Sequence, residues 1–327
     1  MNVLITGGAG FIGFHLARFH AERGDTVHLV DNFFKQDGHS DPEFEALRQR
    51  AGVHAHRIDL TKPITGLDVT GTLDIVYHLA AVNGTRLFYE IPYEVCRINL
   101  LATINLLDWL EGKSVGRILY TSTSEVYAGC EALGLLPIPT PETVPVVFEQ
   151  PTPTRFSYGT SKFVGEFLCR QFGATRKMPV TVIRYHNIYG PRMGSKHVIP
   201  EFIMRALGGE RPFGIFGGGE TRAFCHVSDA VAATYSVAVT PACDQEIVHI
   251  GTMEEISIET LAATILRMMQ SDAPIEEKGR RSGSVSRRCP DTAKLQRLTG
   301  FTPKVSLADG LKETIDWYRN HGAPLKT

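Results

Sequence analysis

Short apolar runs alternate with stretches of helical spacing through the first half of the chain. Val3-Leu-Ile-Thr6 predicts a buried strand, and a glycine turn leads from it into a helix over residues 11–23. Further strands are predicted over 26–31, 53–59, 74–79, 117–121 and 179–184, with helices over 99–110 and 157–172 between the later ones. Short strands separated by helices are the pattern of an α/β fold, a doubly wound parallel sheet with helices on both faces.

After about Pro191 the texture changes. Turns become denser (Gly208-Gly209, Gly217-Gly218-Gly219, Pro241), and predicted helices at 258–270 and 308–319 stand more isolated. Residues 1–190 are therefore expected to form the main domain, with 223–250 returning to it because 223–238 still reads as a strand and helix. Residues 191–327 are expected to be mainly a smaller cap.

Composition narrows the class. At about 150 residues per domain, 327 residues fit one large domain or two modest ones. Lys+Arg 34 against Asp+Glu 35 leave a net charge of −1, with 21% charged and 43% hydrophobic residues. That balance excludes a disordered chain, a nucleic-acid packaging protein and an acidic solvating tail. Basic residues are not clustered with exposed aromatics, so no nucleic-acid partner is expected. No apolar run approaches the roughly 18 residues that cross a bilayer, and the apolar strand entered at Asn2 leaves no room for a signal peptide. Cys96, Cys130, Cys169, Cys225, Cys243 and Cys289 are scattered without a C-x-x-C pair, which argues against a disulfide framework and against a zinc site. A reduced, cytoplasmic protein of enzyme size with no metal is expected.

Two constellations carry chemistry. The first is Thr6-Gly7-Gly8-Ala9-Gly10-Phe11-Ile12-Gly13, between the first strand and the first helix. Gly7 permits the turn, Gly10 lets the backbone approach a pyrophosphate, and Gly13 lets helix and sheet touch. The helix start offers free N–H groups to the anion. Asp31, at the end of the second strand, suits the two ribose hydroxyls and repels a 2′-phosphate; with no arginine directly after it, NAD is expected rather than NADP. Asp59 and Leu60 reach the adenine, and Leu79, Ala80 and Ala81 line the cofactor's path.

The second is Tyr158 and Lys162, four residues apart on one helix face. A nearby ammonium favours phenolate and lowers the tyrosine pKa toward that of a working base. By itself such a pair is more often a solvated helix face. Here it follows the hydroxyl-rich Thr121-Ser122-Thr123-Ser124-Glu125, which should emerge at the C-terminal edge of the sheet, where open parallel sheets bind ligands. The Arg- and Ser-rich stretch 279–288 reads equally as a solvated basic loop or an anion-binding one. His186, Cys130 and Cys225 read as packed structural groups.

Taken in order, these motifs resemble the extended short-chain dehydrogenase/reductases of the NAD-dependent nucleotide-sugar epimerase/dehydratase family. The likeness also rests on His78-Leu-Ala-Ala81, Ser122-Thr-Ser-Glu-Val-Tyr127, Arg184-Tyr-His-Asn-Ile-Tyr-Gly-Pro-Arg192, Val198-Ile-Pro-Glu-Phe202 and Gly219-Glu-Thr-Arg222, and it runs on from Pro290 to Trp317. It implies a Rossmann sheet with a C-terminal α+β substrate-binding cap, NAD, and a nucleotide-diphosphate sugar as substrate. It also implies a homodimer formed through the helices that contain 100–110 and 163–172. By the same resemblance Thr123 hydrogen-bonds the reacting sugar oxygen and Tyr158 removes the 4-hydroxyl proton. Lys162 binds the nicotinamide ribose and polarises the tyrosine, and Ser124 and Glu125 complete the catalytic set. Asn99 and Tyr185 support the cofactor together with Phe11, Ile12, Asn32, Thr121 and Ile188. Asn187, Arg222 and Arg288 hold the diphosphate, and Arg86 and Val198 join the substrate set.

The shared first step gives a 4-keto sugar, after which epimerisation, dehydration and decarboxylation diverge. The Thr-Ser-Glu triplet resembles decarboxylases and some dehydratases, in which a carboxylate serves the second step. Ala128, where glycine is usual, and Asn83-Gly-Thr-Arg-Leu-Phe-Tyr89 point away from decarboxylases. All three reactions stay open, as do an alcohol or ketone reductase of the same class and a non-catalytic NAD sensor.

Overall fold

Strands that read as near-continuous apolar runs are those covered on both faces, and they build the central layer here. The computed structural model describes residues 1–34, 41–148, 152–280 and 286–322. Its first half runs β1 (Asn2–Thr6), α1 (Phe11–Glu22), β2 (Thr26–Asp31), α2 (Pro42–Arg48), β3 (Val53–Arg57), β4 (Ile75–His78), α3 (Thr85–Glu90), α4 (Pro92–Leu110) and β5 (Ile118–Thr123). A 3-10 turn (Ser124–Tyr127) leads into α5 (Ala128–Ala132), then α6 (Ser157–Arg176), β6 (Val180–Tyr185) and β7 (Ile188–Tyr189). The remainder is α7 (Val198–Leu207), β8 (Phe213–Ile215), β9 (Thr221–Ala223), β10 (Cys225–His226), α8 (Val227–Val239), β11 (Ile247–Ile250), β12 (Glu255–Ser257), α9 (Ile258–Met268), β13 (Ile275–Glu277), β14 (Arg287–Arg288), α10 (Ala293–Thr299) and α11 (Leu307–His321).

The seven-stranded sheet has the order β11-β6-β5-β4-β1-β2-β3, and all its pairings are parallel. The order reverses between β1 and β4, so a crevice opens there at the C-terminal ends of the strands. One apolar core joins the sheet to α1 and α8, through residues such as Phe14, Leu16, Val231 and Val237. A second joins the opposite face to α4 and α6, through Leu106, Leu110, Cys169 and Phe172. A third core lies wholly in the later part of the chain, where Ile203, Phe213, Leu261, Ile265 and Leu311 bury α7, α9 and α11 against one another.

The bounds differ from expectation where polar chemistry intervenes. The helix expected from residue 99 begins at Pro92, which occupies the first helical turn, where its missing N–H costs nothing. β3 stops at Arg57 because Asp59 starts a local turn, accepting from the Thr61 N–H at 3.0 Å and the Thr61 hydroxyl at 2.7 Å. β5 runs on to Thr123. The 223–238 segment contributes its helix to the sheet-facing core, but its strand, β10, pairs with β7 outside the main sheet. The seventh sheet strand is instead β11, laid parallel to β6.

Two buried guanidinium clusters join the layers. Arg184 on β6 makes two bonds to Glu166 on α6, at 2.8 and 2.6 Å, and a third to the Tyr127 hydroxyl at 2.5 Å. Arg192 makes two 2.6 Å bonds to Asp41, the residue that caps α2. Trp317 of α11 donates to the neighbouring Glu43 at 2.9 Å, which ties the last helix to the first half.

Both side chains of the Arg184–Glu166 pair are 3% exposed. Removing one partner of such a pair strands a buried charge, typically at about 3–5 kcal/mol. Glu166→Ala is therefore expected to lower the urea-unfolding free energy by about that amount, and a loss within experimental error would show that the pair does not hold α6 to the sheet.

Candidate functional site

The glycine turn after β1 is shaped by close approach. A Cβ on Gly7 would stand 2.8 Å from the Ala80 nitrogen, and one on Gly13 only 2.1 Å from the Gly7 carbonyl oxygen. Gly7 also holds φ at +70°, a conformation that costs glycine nothing. α1 starts at Phe11 and Ile12 behind an N-cap, Gly10, that offers no side-chain acceptor, so the first N–H groups are available to an anion. Asp31 accepts from the N–H of Ala9 at 3.1 Å and of Phe33 at 2.9 Å, which fixes its carboxylate at the end of β2. Thr6 holds the far wall by accepting from the N–H groups of Leu79 and Ala80 at 3.1 and 3.2 Å. Anion-ready helix start, bare turn and acidic strand end together fit a dinucleotide.

Beside this crevice, β5 ends in Thr123, whose hydroxyl accepts from the Glu125 N–H at 3.2 Å. α6 brings Tyr158 and Lys162 alongside, and a Cβ on Gly159 would meet the Glu125 carbonyl oxygen at 2.6 Å, so helix and turn are in direct contact. Tyr158 stacks on Phe88 of α3, with centroids 5.1 Å apart and planes 7° apart. Lys162 is 2% exposed, with its ammonium 4.5 Å from the Tyr120 ring centroid.

The expected lowering of the tyrosine pKa is not what this environment gives. Burial pushes the Tyr158 phenol up, and the nearby Glu125 carboxylate adds to it. Burial also pushes the Lys162 ammonium down, to about 8. Desolvation disfavours both charged forms, and it is the largest cause of each shift.

A short sheet supplies the opposite wall. β9 and β14 pair in parallel with Arg222 opposite Arg288, which sets the two guanidiniums on one face. Arg288 donates to Glu125 at 2.5 Å and stands 3.6 Å from Glu131 of α5. Burial raises the Glu125 carboxyl, but the Arg288 guanidinium beside it, aided by Arg155 and Arg222, holds the net value below the ordinary carboxylate range. Arg222 is anchored to Glu220 at 3.2 Å. Arg288, expected on the diphosphate, is thus paired with the acid of the turn after β5. Residues 281–285 of the basic stretch lie outside the described residues.

Other sequence-predicted residues make contacts within the protein. The buried Asn99 amide takes the Val82 N–H at 2.7 Å and donates to the Val82 carbonyl and the Ser161 hydroxyl, so it shapes the loop after β4. The Tyr185 hydroxyl is bonded to Thr234 of α8 at 2.7 Å, and the Thr121 hydroxyl donates to the His78 carbonyl at 2.8 Å. Asn187, at φ +41°, donates to the Ala223 carbonyl at 3.1 Å. Asn32 accepts from the Phe34 N–H at 3.1 Å. The Leu60 carbonyl accepts from Asn105 at 2.8 Å. Ser124 and Ile188 are buried, Val198 opens α7, and Ala81 packs beside Tyr158. Arg86, 61% exposed, pairs with Glu90 on its own helix at 3.2 Å. Among the described residues no cluster of metal ligands is present, and no helix is long and apolar enough to cross a membrane.

Sequence reasoning missed Glu131, Arg155, Phe88 and Arg57. Only folding brings the first three to the site. Arg57 faces Asp31 through the β2–β3 register and lies over the Phe33 ring, 5.2 Å from its centroid. Its signal, an arginine ending the third strand, was available.

The chain matches the family described as the NAD dependent epimerase/dehydratase family over residues 3–251. It is 36% identical over 326 residues to a UDP-N-acetyl-alpha-D-glucosaminuronate decarboxylase from Bacillus cytotoxicus, covering 97% of each chain. Among solved structures it resembles a UDP-glucuronic acid 4-epimerase from Bacillus cereus in complex with UDP-glucuronic acid and NAD, at 26% identity and TM-score 0.80, covering 98% of this chain and 100% of that one. A dTDP-glucose 4,6-dehydratase from Streptomyces venezuelae with NAD bound is similar at 26% identity and TM-score 0.82, covering 98% and 97%.

Lys162 gives the site a signature in the cofactor-free protein. Its ammonium falls from 10.5 in the unfolded chain to about 8 in the fold. Between those values the unfolded state holds the extra proton, so stability rises with pH. Lys162→Met is expected to exceed the wild type in urea-unfolding free energy at pH 7 by on the order of 3 kcal/mol, with the gap closing above pH 8. Parallel stability curves for the two proteins would show that burial of the ammonium carries no such cost.

Proposed function

The chain belongs to the NAD-dependent epimerase/dehydratase family, and on that footing we propose that it removes carbon dioxide from a nucleotide-diphosphate hexuronic acid through a transient 4-keto sugar, with NAD as its cofactor. The observation that carries the reading is the Arg288–Glu125 contact of 2.5 Å, made beside Thr123 and across from Tyr158. A ketone at C4 makes a C5 carboxylate a β-keto acid, whose cleavage places negative charge on the C4 oxygen and C5. Arg288 is a fixed cation for that charge, and ionised Glu125 disfavours retention of a second carboxylate beside it. Epimerisation at C4 requires neither group. The curated decarboxylase relative weighs the same way against the Ala128 and 83–89 departures.

NAD, held at the glycine turn and Asp31, would supply a reversible hydride acceptor for C4. The chain's own groups do the rest. Thr123 hydrogen-bonds the C4 oxygen, and Tyr158 takes the hydroxyl proton. Its pushed-up pKa in the cofactor-free state means that this transfer depends on positive charge beside the phenol, the role proposed for the Lys162 ammonium. Arg222 and Asn187 hold the diphosphate. The turn at Gly7, Gly10 and Gly13 with Asp31 holds NAD, and Asp31 selects it over the 2′-phosphorylated form.

We also propose a homodimer acting in the cytoplasm. α4 and α6 pack together and leave Ile104 40% and Phe167 60% exposed, apolar surface suited to a self-complementary helical interface. All six cysteines are free, as suits a reducing compartment.

Incubated with NAD, UDP-glucuronic acid and UDP-N-acetylglucosaminuronic acid should lose carbon dioxide, as read by mass spectrometry. Tyr158→Phe should bind NAD normally and turn over at least about 10²-fold more slowly. Unchanged mass with shifted chromatographic retention would make the enzyme an epimerase, and loss of water a dehydratase. Phe167→Glu should convert the dimer to a monomer by light scattering, and an unaltered mass would place the interface elsewhere.

A further inference from the structure

Decarboxylation leaves one group unassigned. When the bond between C5 and the carboxyl carbon breaks, its electron pair enters the C4–C5 enolate and carbon dioxide leaves. The enolate returns to a ketone only when C5 gains a proton, so each turnover consumes one proton and needs no oxidant. Tyr158 cannot serve freely, because its proton is returned to the C4 oxygen. Glu125 cannot, because its 2.5 Å contact with Arg288 holds it ionised.

We propose that Glu131 is the proton source of this site: held beside the Arg288 nitrogen that Glu125 does not take, it gives its proton to C5 as carbon dioxide departs and regains one from water. This rests on the decarboxylase reading. The geometry is a single guanidinium shared by two carboxyl groups, one at 2.5 Å and the other at 3.6 Å. The closer group takes the charge and the farther one keeps the proton, as carboxyl pairs on a common site do. The Glu131 side chain is 16% exposed, and its Oε1 is buried with no hydrogen-bond partner among the described residues. A buried polar atom left unpaired costs stability, and a ligand atom is the partner that would satisfy it.

The charged groups around Glu131 come from each neighbouring element. Arg288 stands on β14, Arg222 on β9, Arg155 on the helical turn Thr154–Phe156, and Glu125 on the catalytic turn. Burial raises the Glu131 carboxyl and Glu125 raises it further; the three arginines oppose them and are outweighed. The opposite outcome at Glu125, which is lowered by the same arginines, separates the pair into a fixed charge and a proton carrier. Glycine at 129 lets α5 lie hard against the following loop, since a Cβ there would stand 1.7 Å from the Val147 carbonyl oxygen, and Glu131 on this helix stands 3.6 Å from Arg288.

The test uses NAD-loaded wild type, Glu131→Gln and Glu131→Asp, with the hexuronic acid that the wild type decarboxylates. Glutamine keeps the shape and the contact with Arg288 but has no proton to give. NADH absorbance in a single turnover should show oxidation at C4 at the wild-type rate, while pentose formation falls about 10²-fold. The alkaline limb of the pentose-formation rate against pH should vanish in Glu131→Gln, and Glu131→Asp should restore both. Infrared difference spectra of the substrate-free holoenzyme should show a protonated-carboxyl band near neutral pH that Glu131→Gln lacks. Pentose formation at the wild-type rate and pH profile in Glu131→Gln would overturn the proposal, as would equal loss of both steps, which marks a residue that only positions Arg288. Absence of carbon dioxide release by the wild type would overturn the decarboxylase reading, and this one with it.

Discussion

One buried guanidinium holds the catalytic elements in register. Arg184, on the sixth strand, is bonded twice to Glu166 on the helix that carries Tyr158 and Lys162, and once to Tyr127, which closes the turn bearing Ser124 and Glu125. Tyr127 is in turn bonded to His249 on the edge strand at 2.8 Å. A charge taken out of water must be met by fixed partners, so the three elements cannot shift independently without exposing it. The helix that carries Tyr158 and the turn that follows Thr123 are thereby tied together through one buried side chain.

Desolvation then assigns protons. The same burial that pushes Tyr158 up pushes Lys162 down, so neither is charged cheaply until a ligand brings charge of its own. On the opposite wall, Arg288 divides two carboxyl groups into one held ionised and one raised. The wall comes from the later part of the chain and the turn from the first half, and their meeting spans 163 residues of sequence. On the proposed reading, the groups that would decide the second step lie where the two halves of the chain touch, whereas those proposed for the oxidation lie in the first half.

The fold was legible because its signals are local. A turn that must bring backbone within van der Waals range of another strand accepts only glycine, so Gly7 and Gly13 mark it. Helix and strand ends were less legible where single polar groups decide them, as Pro92 does at the start of its helix and Asp59 does after the third strand. Asn99, Tyr185 and Thr121 show a different limit. Motif position places them beside the cofactor by analogy, and only the structure shows what else they hold, through hydrogen bonds to Val82, Thr234 and His78.

The sequence by itself determined the sheet and the glycine turn after its first strand, and it singled out Thr123, Tyr158 and Lys162 as candidates, because each is written within one strand, turn or helix at fixed spacing. Only the tertiary structure decided which acid meets Arg288, that Glu131 stands beside it, and that Tyr158 and Lys162 are both disfavoured as ions. Those outcomes depend on which side chains share a volume from which water is excluded, and no spacing along the chain records that.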